Sequence, residues 1–257
     1  MRLAASCLLL LVLSFAVEEA ALAAPGMKEV DFPTSDGLQA HADLYPSSKP
    51  SAPLVILFHQ AGWSRGEYRE IAPRLVALGY GVLAVDQRSG RGVNGVPNET
   101  HKRAHEKKLP THYLDAYADL EAALRFAVEK LKARNIIVWG SSYSASLVFR
   151  LAAENREAVG AVLSFSPGEY FRKRGNTFIQ GHARAVVVPL FVTSSKAERP
   201  QVKPIFDASP SERKILFTPA SAGQHGSRAL WARSPDNDVY WAAVKGFLKE
   251  YAPPPSK

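Results

Sequence analysis

The sequence predicts an α/β fold: a mostly parallel central sheet, helices on both faces, and a leading antiparallel hairpin. Short aliphatic or β-branched runs, most of them apolar throughout, alternate with segments whose apolar residues recur at helical spacing. A strand without a polar side belongs in a sheet covered on both faces. Composition agrees. The 257 residues are 46% hydrophobic and 22% charged, which excludes a disordered, collagen-like or coiled-coil chain and allows one large core.

The first segment stands outside this alternation. Met1-Arg2 is a short positive start, residues 8–17 form an apolar run broken by Ser14, and Ala21 and Ala23 are small residues where a signal peptidase reads. Residues 1–23 are therefore expected to be a secretory signal peptide, and residues 24–257 a single domain. The apolar run is too short to span a bilayer core of about 30 Å, and Glu18-Glu19 ends it. The expectation is export to a periplasm or the medium, with no stable membrane insertion after cleavage. The single cysteine, Cys7, lies in this segment. The exported chain would thus carry no disulfide, cysteine nucleophile or thiolate metal site, and its stability rests on burial.

The next elements follow from their patterns. Runs at 27–32 and 38–44, joined around Asp36-Gly37, read as the leading hairpin. Strands are predicted at 54–58, 81–85, 136–139, 158–165, 189–193 and 213–217. Between them, Tyr68, Ile71, Ala72, Leu75 and Val76 make one helical face, stopped by Gly79. Leu114, Tyr117, Leu120, Leu124, Val128 and Leu131 make a second, and Leu147, Val148, Leu151 and Ala152 a third. Val239, Tyr240, Ala243, Val244, Phe247, Leu248 and Tyr251 make the last. Segments 88–110 and 166–186 are longer than connections need, and both leave the C-terminal end of a strand, where open α/β sheets bind ligands.

The sharpest chemical signal is Gly140-Ser-Ser-Tyr-Ser144, between a predicted strand and a predicted helix. A nucleophile carried on so tight a turn needs small residues two positions to either side, and Gly140 and Ser144 flank Ser142 in this way. Ser144 also fits the spacing, but falls inside the helix. A general base is sought later in the chain. His182 and His225 both follow, and His225 lies in a Gly-rich loop beyond the last strand, from which it can reach back to the turn. An acid that orients the imidazole belongs between them. Glu198, just after the 189–193 strand, is expected; Glu169, after the preceding strand, is the alternative, and Asp207 a third. Oxyanion donors are expected from the backbone N–H of Tyr143 and of Ala61 or Gln60, in the His59-Gln-Ala-Gly-Trp63 loop. Trp63 and Gln60 are pocket candidates, and His59 is expected to be structural.

These motifs resemble the α/β-hydrolase superfamily, in its dienelactone-hydrolase-like and esterase-like group. The resemblance spans about residues 28–250 and is carried by His59-Gln-Ala-Gly62, Val85-Asp-Gln-Arg-Ser-Gly90, Gly140-Ser-Ser-Tyr-Ser144 and His225-Gly226. It implies mainly structural roles for Asp86 and Arg88. The sequence departs from the pattern at Gln60 and Ser144, where glycine is usual, at Ser142, which replaces the cysteine of dienelactone hydrolases proper, and at Glu198, where Asp is usual. The function expected is an exported serine hydrolase that cleaves small-molecule carboxylic esters through Ser142, His225 and Glu198. A peptidase or amidase on the same fold is the alternative, and a noncatalytic binding protein the competitor from another class.

Other chemistries lack their motifs. His101 and His105 stand four apart in a Lys-rich polar stretch without His-Glu-x-x-His, so no metal is expected, and Gly90, Gly92 and Gly95 lack the Lys-Ser/Thr of a phosphate loop. No cofactor is expected. The net charge is +8, but the basic run 91–108 has no interleaved aromatics, so no nucleic-acid partner is expected. That run is a candidate attractant for anionic substrates. Oligomeric state has no signature in the sequence.

Overall fold

The structure, a computed structural model, describes residues 26–255. The expected signal peptide falls outside the described residues. Strand β1 (Lys28–Pro33) pairs antiparallel with β2 (Gln39–Tyr45), and β2 pairs antiparallel with β4 (Gly81–Val85). From there the sheet is parallel through β3 (Leu54–Phe58), β7 (Ile136–Ser141), β8 (Val159–Phe165), β9 (Leu190–Thr193) and β10 (Lys214–Phe217). The order is β1-β2-β4-β3-β7-β8-β9-β10.

Alternation along the central strands explains why they look uniformly apolar. Leu54, Ile56 and Phe58 point to one core, while Val55 and Leu57 point to the other. The first core is closed by α3 (Tyr117–Glu129), α4 (Tyr143–Glu154), α5 (Phe178–Ala183) and α6 (Arg199–Ala208). The second is closed by α1 (Ile71–Ala77), a 3-10 turn at Ser227–Leu230 and α7 (Asn237–Tyr251). Trp139 and Trp241, both fully buried, anchor the second core; truncating an aromatic of this kind typically costs about 3–5 kcal/mol. Among the described residues no helix is long and apolar enough to cross a membrane.

Three expectations are corrected. Leu114 lies in the turn before α3 rather than on it, because the helix begins at Tyr117. Val239, in the first turn of α7, is half exposed, so the buried face begins at Tyr240. Segment 88–110 is not a plain loop: it holds a small hairpin, β5 (Gly92–Val93) with β6 (Val96–Pro97), and the helix α2 (Glu99–Glu106). Asn98 starts α2 by accepting the His101 N–H. Thr100 then fixes it to the sheet by accepting the His41 N–H at 2.8 Å.

The sheet's β4 end is tied by buried charge. Asp86 accepts from the Arg65 N–H, the Arg65 guanidinium and the Glu99 N–H. Arg88, 1% exposed, pairs with buried Asp119 and with Asp36. Removing one partner of such a pair strands the other charge and costs about 3–5 kcal/mol. The Asp-x-Arg element therefore holds the turn that follows β4.

Candidate active site

Ser142 sits between β7 and α4 with φ 60° and ψ −121°, a conformation that a side chain adopts only under constraint. The constraint is visible. Its N–H donates to the Phe165 carbonyl at 2.8 Å, and a Cβ on Gly140 would stand 2.4 Å from the Ser144 carbonyl oxygen, so only glycine allows the turn to close. Ser144, the other candidate nucleophile, is fully buried. Its hydroxyl accepts the Ser141 N–H at 2.9 Å and lies 2.7 Å from the Phe58 carbonyl, which holds it to the backbone. Ser142 retains 8% exposure; burial raises the Tyr170 phenol, and the nearby Ser142 side chain works against that rise. The Tyr170 phenol in turn donates to the Ser166 carbonyl at 3.0 Å.

His225 and Glu198 are brought together: His225 Nδ1 bonds Glu198 Oε1. The other carboxylate oxygen accepts from the Ser195 N–H at 3.1 Å, the Ser195 hydroxyl at 2.7 Å and the Ser166 hydroxyl at 2.9 Å. Burial works against ionisation of Glu198, but the hydrogen bonds from His225, Ser195 and Ser166 outweigh it and hold the carboxyl down at about 2. Ser166 also accepts the Gly226 N–H at 3.0 Å, which ties the acid to the histidine loop. Among the described residues no hydrogen bond joins Ser142 to His225; free enzymes often tighten that contact only with substrate bound.

The other candidates go elsewhere. Glu169 accepts the backbone N–H groups of Ile179 and Gln180 at 2.8 and 2.9 Å, so it caps α5 and is not with His225. Asp207 pairs with Lys203 on α6. His182 packs edge-on against Phe178. The Gln60 N–H donates to Glu67 at 2.7 Å, which removes it as an oxyanion donor. Among the described residues no hydrogen bond occupies the N–H of Tyr143 or Ala61. His59 is fully buried: its Nε2 accepts the Gln87 N–H and its Nδ1 contacts the Gln60 carbonyl. Burial pushes its imidazole down to about 4, so it stays neutral and shapes the loop. Trp63 stacks on Trp231, with centroids 5.1 Å apart, and lines a cleft with Gln224 and Arg228.

Sequence reasoning missed Glu67. It is fully buried behind the nucleophile turn, accepts the Gln60 N–H and takes the Ser141 hydroxyl at 2.7 Å. Ser141 in turn accepts the Ser227 N–H at 2.9 Å. One carboxyl therefore links the oxyanion loop, the turn and the histidine loop. Burial raises it to about 7, against hydrogen bonds that favour the ion. It occurs in Ser64-Arg-Gly-Glu-Tyr68, a stretch that reads as a surface turn. Ser195 had a signal, since Ser195-x-x-Glu198 has the spacing of a capping box, and the structure forms one.

Glu29, His41 and Asp43 bring ligating atoms within 4.8 Å of one another. The Arg65 guanidinium already lies on both carboxylates, with Nε 2.7 Å from Asp43 and Nη2 3.5 Å from Glu29. That set is neutralised by the chain itself.

Comparison with known proteins agrees with this architecture. An esterase from Pyrococcus furiosus is similar with a TM-score of 0.68 at 20% identity, over 88% of this chain and 92% of that one. A dienelactone hydrolase from Anabaena variabilis gives a TM-score of 0.65 at 15% identity, over 88% and 99%. An esterase domain from Rhodothermus marinus gives 0.62 at 16%, over 88% and 98%. At these identities the likeness is one of fold. A search of the curated proteins finds no match. The family model described as serine aminopeptidase, S33, matches residues 49–207, from before β3 to the end of α6. With that match over more than half its length, the chain belongs to this family of α/β hydrolases.

Proposed function

We propose that the protein is a serine hydrolase acting on carboxylic esters, with Ser142 as nucleophile, His225 as general base and Glu198 as orienting acid. The observation that carries this is the Glu198–His225 hydrogen bond beside a serine at φ 60°. The Ser142 hydroxyl turns toward His225, loses its proton to Nε2 and attacks the carbonyl carbon. Oxyanion charge is met by the N–H groups of Tyr143 and Ala61. The C–O bond then breaks, His225 returns the proton to the alcohol, and water releases the acyl group by the same steps. Glu198 keeps the proton of Nδ1 in place throughout.

Cleavage next to a free amino terminus fits less well. An α-ammonium group needs a carboxylate to pair with, and the cleft lined by Tyr113 and Tyr170 carries Arg172, Lys173 and Arg174 instead. Fluorophosphonate labelling with peptide mapping tests the reading. Label on Ser142, absent in Ser142→Ala, is expected; an unlabelled Ser142 in folded protein that also fails to hydrolyse an ester panel rejects it and favours a binding role.

We also propose export with loss of residues 1–23, on the positive start, apolar run and Ala21-x-Ala23 pattern. The N-terminal sequence of protein recovered outside the cytoplasm checks this; an intact Met1 there would reject it.

A further inference from the structure

A cleft lined by residues 111–114 and 170–174 has a volume of about 730 Å³, within the range of small-molecule sites. It has two chemically distinct parts. The inner wall is aromatic and aliphatic: Tyr113, Leu114, Tyr170 and Phe171 line it. Both tyrosines are anchored to the nucleophile's surroundings. The Ser142 side chain acts on the Tyr170 phenol electrostatically, and the Tyr113 ring stacks on that of Tyr143, the residue after Ser142, with centroids 4.8 Å apart. They are nevertheless 43% and 40% exposed, large apolar surfaces facing open space. The outer wall is Arg172, Lys173 and Arg174, three cations in one exposed 3-10 turn.

These cations contrast with three in the 91–108 run. In the 91–108 run, Arg103 pairs with Asp31, Lys107 donates to the Gly37 carbonyl and Lys102 approaches Glu99, all against the leading hairpin or within α2. Among the described residues no ion pair involves Arg172, Lys173 or Arg174. Arg174 lies 5.9 Å over the Phe178 ring, which leaves its charge available. Two carboxylates stand on neighbouring segments, and both accept backbone N–H groups: Glu169 caps α5, and Asp115 accepts from His112. Neither carboxylate forms an ion pair with these cations, although Glu169 and Arg172 line a further pocket together.

We infer that this cleft takes the acyl part of the substrate, and that the preferred acyl group is an apolar chain ending in an anion, a carboxylate in the simplest case. The inference rests on the ester-hydrolase reading of Ser142. The chain would lie along Tyr170, Tyr113 and Phe171, with its carbonyl at Ser142 and its anionic end at the cationic turn. A neutral acyl chain of the same length would gain the apolar contacts but leave the rim unused. Opposite charge at a cleft mouth raises both encounter rate and affinity, and salt weakens both.

The test compares p-nitrophenyl octanoate with the p-nitrophenyl monoester of suberic acid, which has the same chain length and a terminal carboxylate. The readout is the ratio of kcat/KM for the anionic over the neutral ester. The wild type is expected to favour the anionic ester at low salt, with the ratio falling as salt rises. Arg172→Glu with Lys173→Glu is expected to lower the ratio by about tenfold or more. Lys102→Glu with Lys107→Glu changes net charge equally and is expected to leave the ratio within about twofold. Equal effects of the two double variants, or a ratio that neither moves, overturns the inference. If neither ester is hydrolysed in a Ser142-dependent way, the hydrolase reading fails separately, and calorimetry with suberate against octane-1,8-diol decides the cleft. Suberate binding that the Arg172/Lys173 reversal weakens about tenfold keeps the anion preference; no suberate binding, or equal binding in both proteins, overturns it.

Discussion

Two carboxyl groups stand on opposite sides of the same nucleophile turn and are driven in opposite directions. Glu198 faces a histidine and three further donors, and is held down at about 2. Glu67 is fully buried, receives two donors and has no cation partner among the described residues; it is pushed up to about 7. The difference lies in what each group touches. A carboxylate with enough donors and a basic ring stays charged and can steady an imidazolium, whereas one enclosed by protein keeps its proton and works as a neutral brace.

Substitutions can break that contrast. The largest effect is expected from Glu198→Gln, which leaves the volume but loses control of the His225 tautomer. Steady-state kinetics should show kcat on an activated ester falling on the order of a thousandfold or more. A loss below about tenfold would separate Glu198 from catalysis. Gly226→Ala comes next. At φ 70° it is strained, and its Cβ would meet Ser141 Oγ at 2.6 Å and Gln60 Oε1 at 2.8 Å. Displacing His225 in this way should lower kcat/KM about a hundredfold, with a stability loss of about 1–3 kcal/mol.

Glu67→Gln is expected to show in stability more than in rate. Gln keeps the volume and a carbonyl oxygen that can accept the Gln60 N–H or the Ser141 hydroxyl. In the native protein Glu67 keeps its proton up to about 7, whereas the unfolded chain releases it near 4.5. The unfolded state therefore holds fewer protons in that window, and stability falls as pH rises through it, by on the order of 3 kcal/mol. Denaturant melts across pH 4.5–7.5 should show this slope in the wild type and a flatter profile in Glu67→Gln; parallel profiles would reject the neutral-brace reading. Glu198 acts with the opposite sign. Its stabilisation is present above about 4.5 and is lost as pH falls toward about 2. The smallest effect belongs to Glu169→Gln, expected to weaken the start of α5 by about 1 kcal/mol and to leave kcat within a few-fold. A loss matching that of Glu198→Gln would reverse the assignment of the acid.

The legible parts of this molecule are those in which local pattern and tertiary burial agree. The runs at 54–58 and 81–85 become β3 and β4 with unchanged limits, because both faces of each strand meet a core. Helix α2 escaped notice because only Thr100 and Ala104 of its eight residues are buried, so it has no apolar stripe to read. Chain order and strand ends suffice to place Ser142, Glu198 and His225 near one sheet edge, since those positions follow β7, β9 and β10. Glu67 was illegible for the converse reason. Tyr68 reads as the start of an apolar helical face, but nothing in Arg65-Gly-Glu67 signals burial; Trp231 Nε1, from the 227–231 segment, donates to the Glu67 carbonyl at 2.8 Å. Likewise, the basic run 91–108 looked like the site of anion attraction, but Lys102, Arg103 and Lys107 are engaged with neighbouring groups, and it is the shorter 172–174 run that lines the cleft.

The cationic turn belongs to a chain excursion between β8 and α5 and makes no sheet pairing of its own. The proposed reacting groups follow the sheet's strand ends, while the cationic part of the cleft wall hangs from this detour. On the proposed reading, charge preference and chemistry are therefore modular in this architecture. Exchanging residues 171–177 between relatives would transplant a preference for one acyl group without rebuilding the machinery that cuts it, and a lineage could diversify its diet there while its reaction stayed the same.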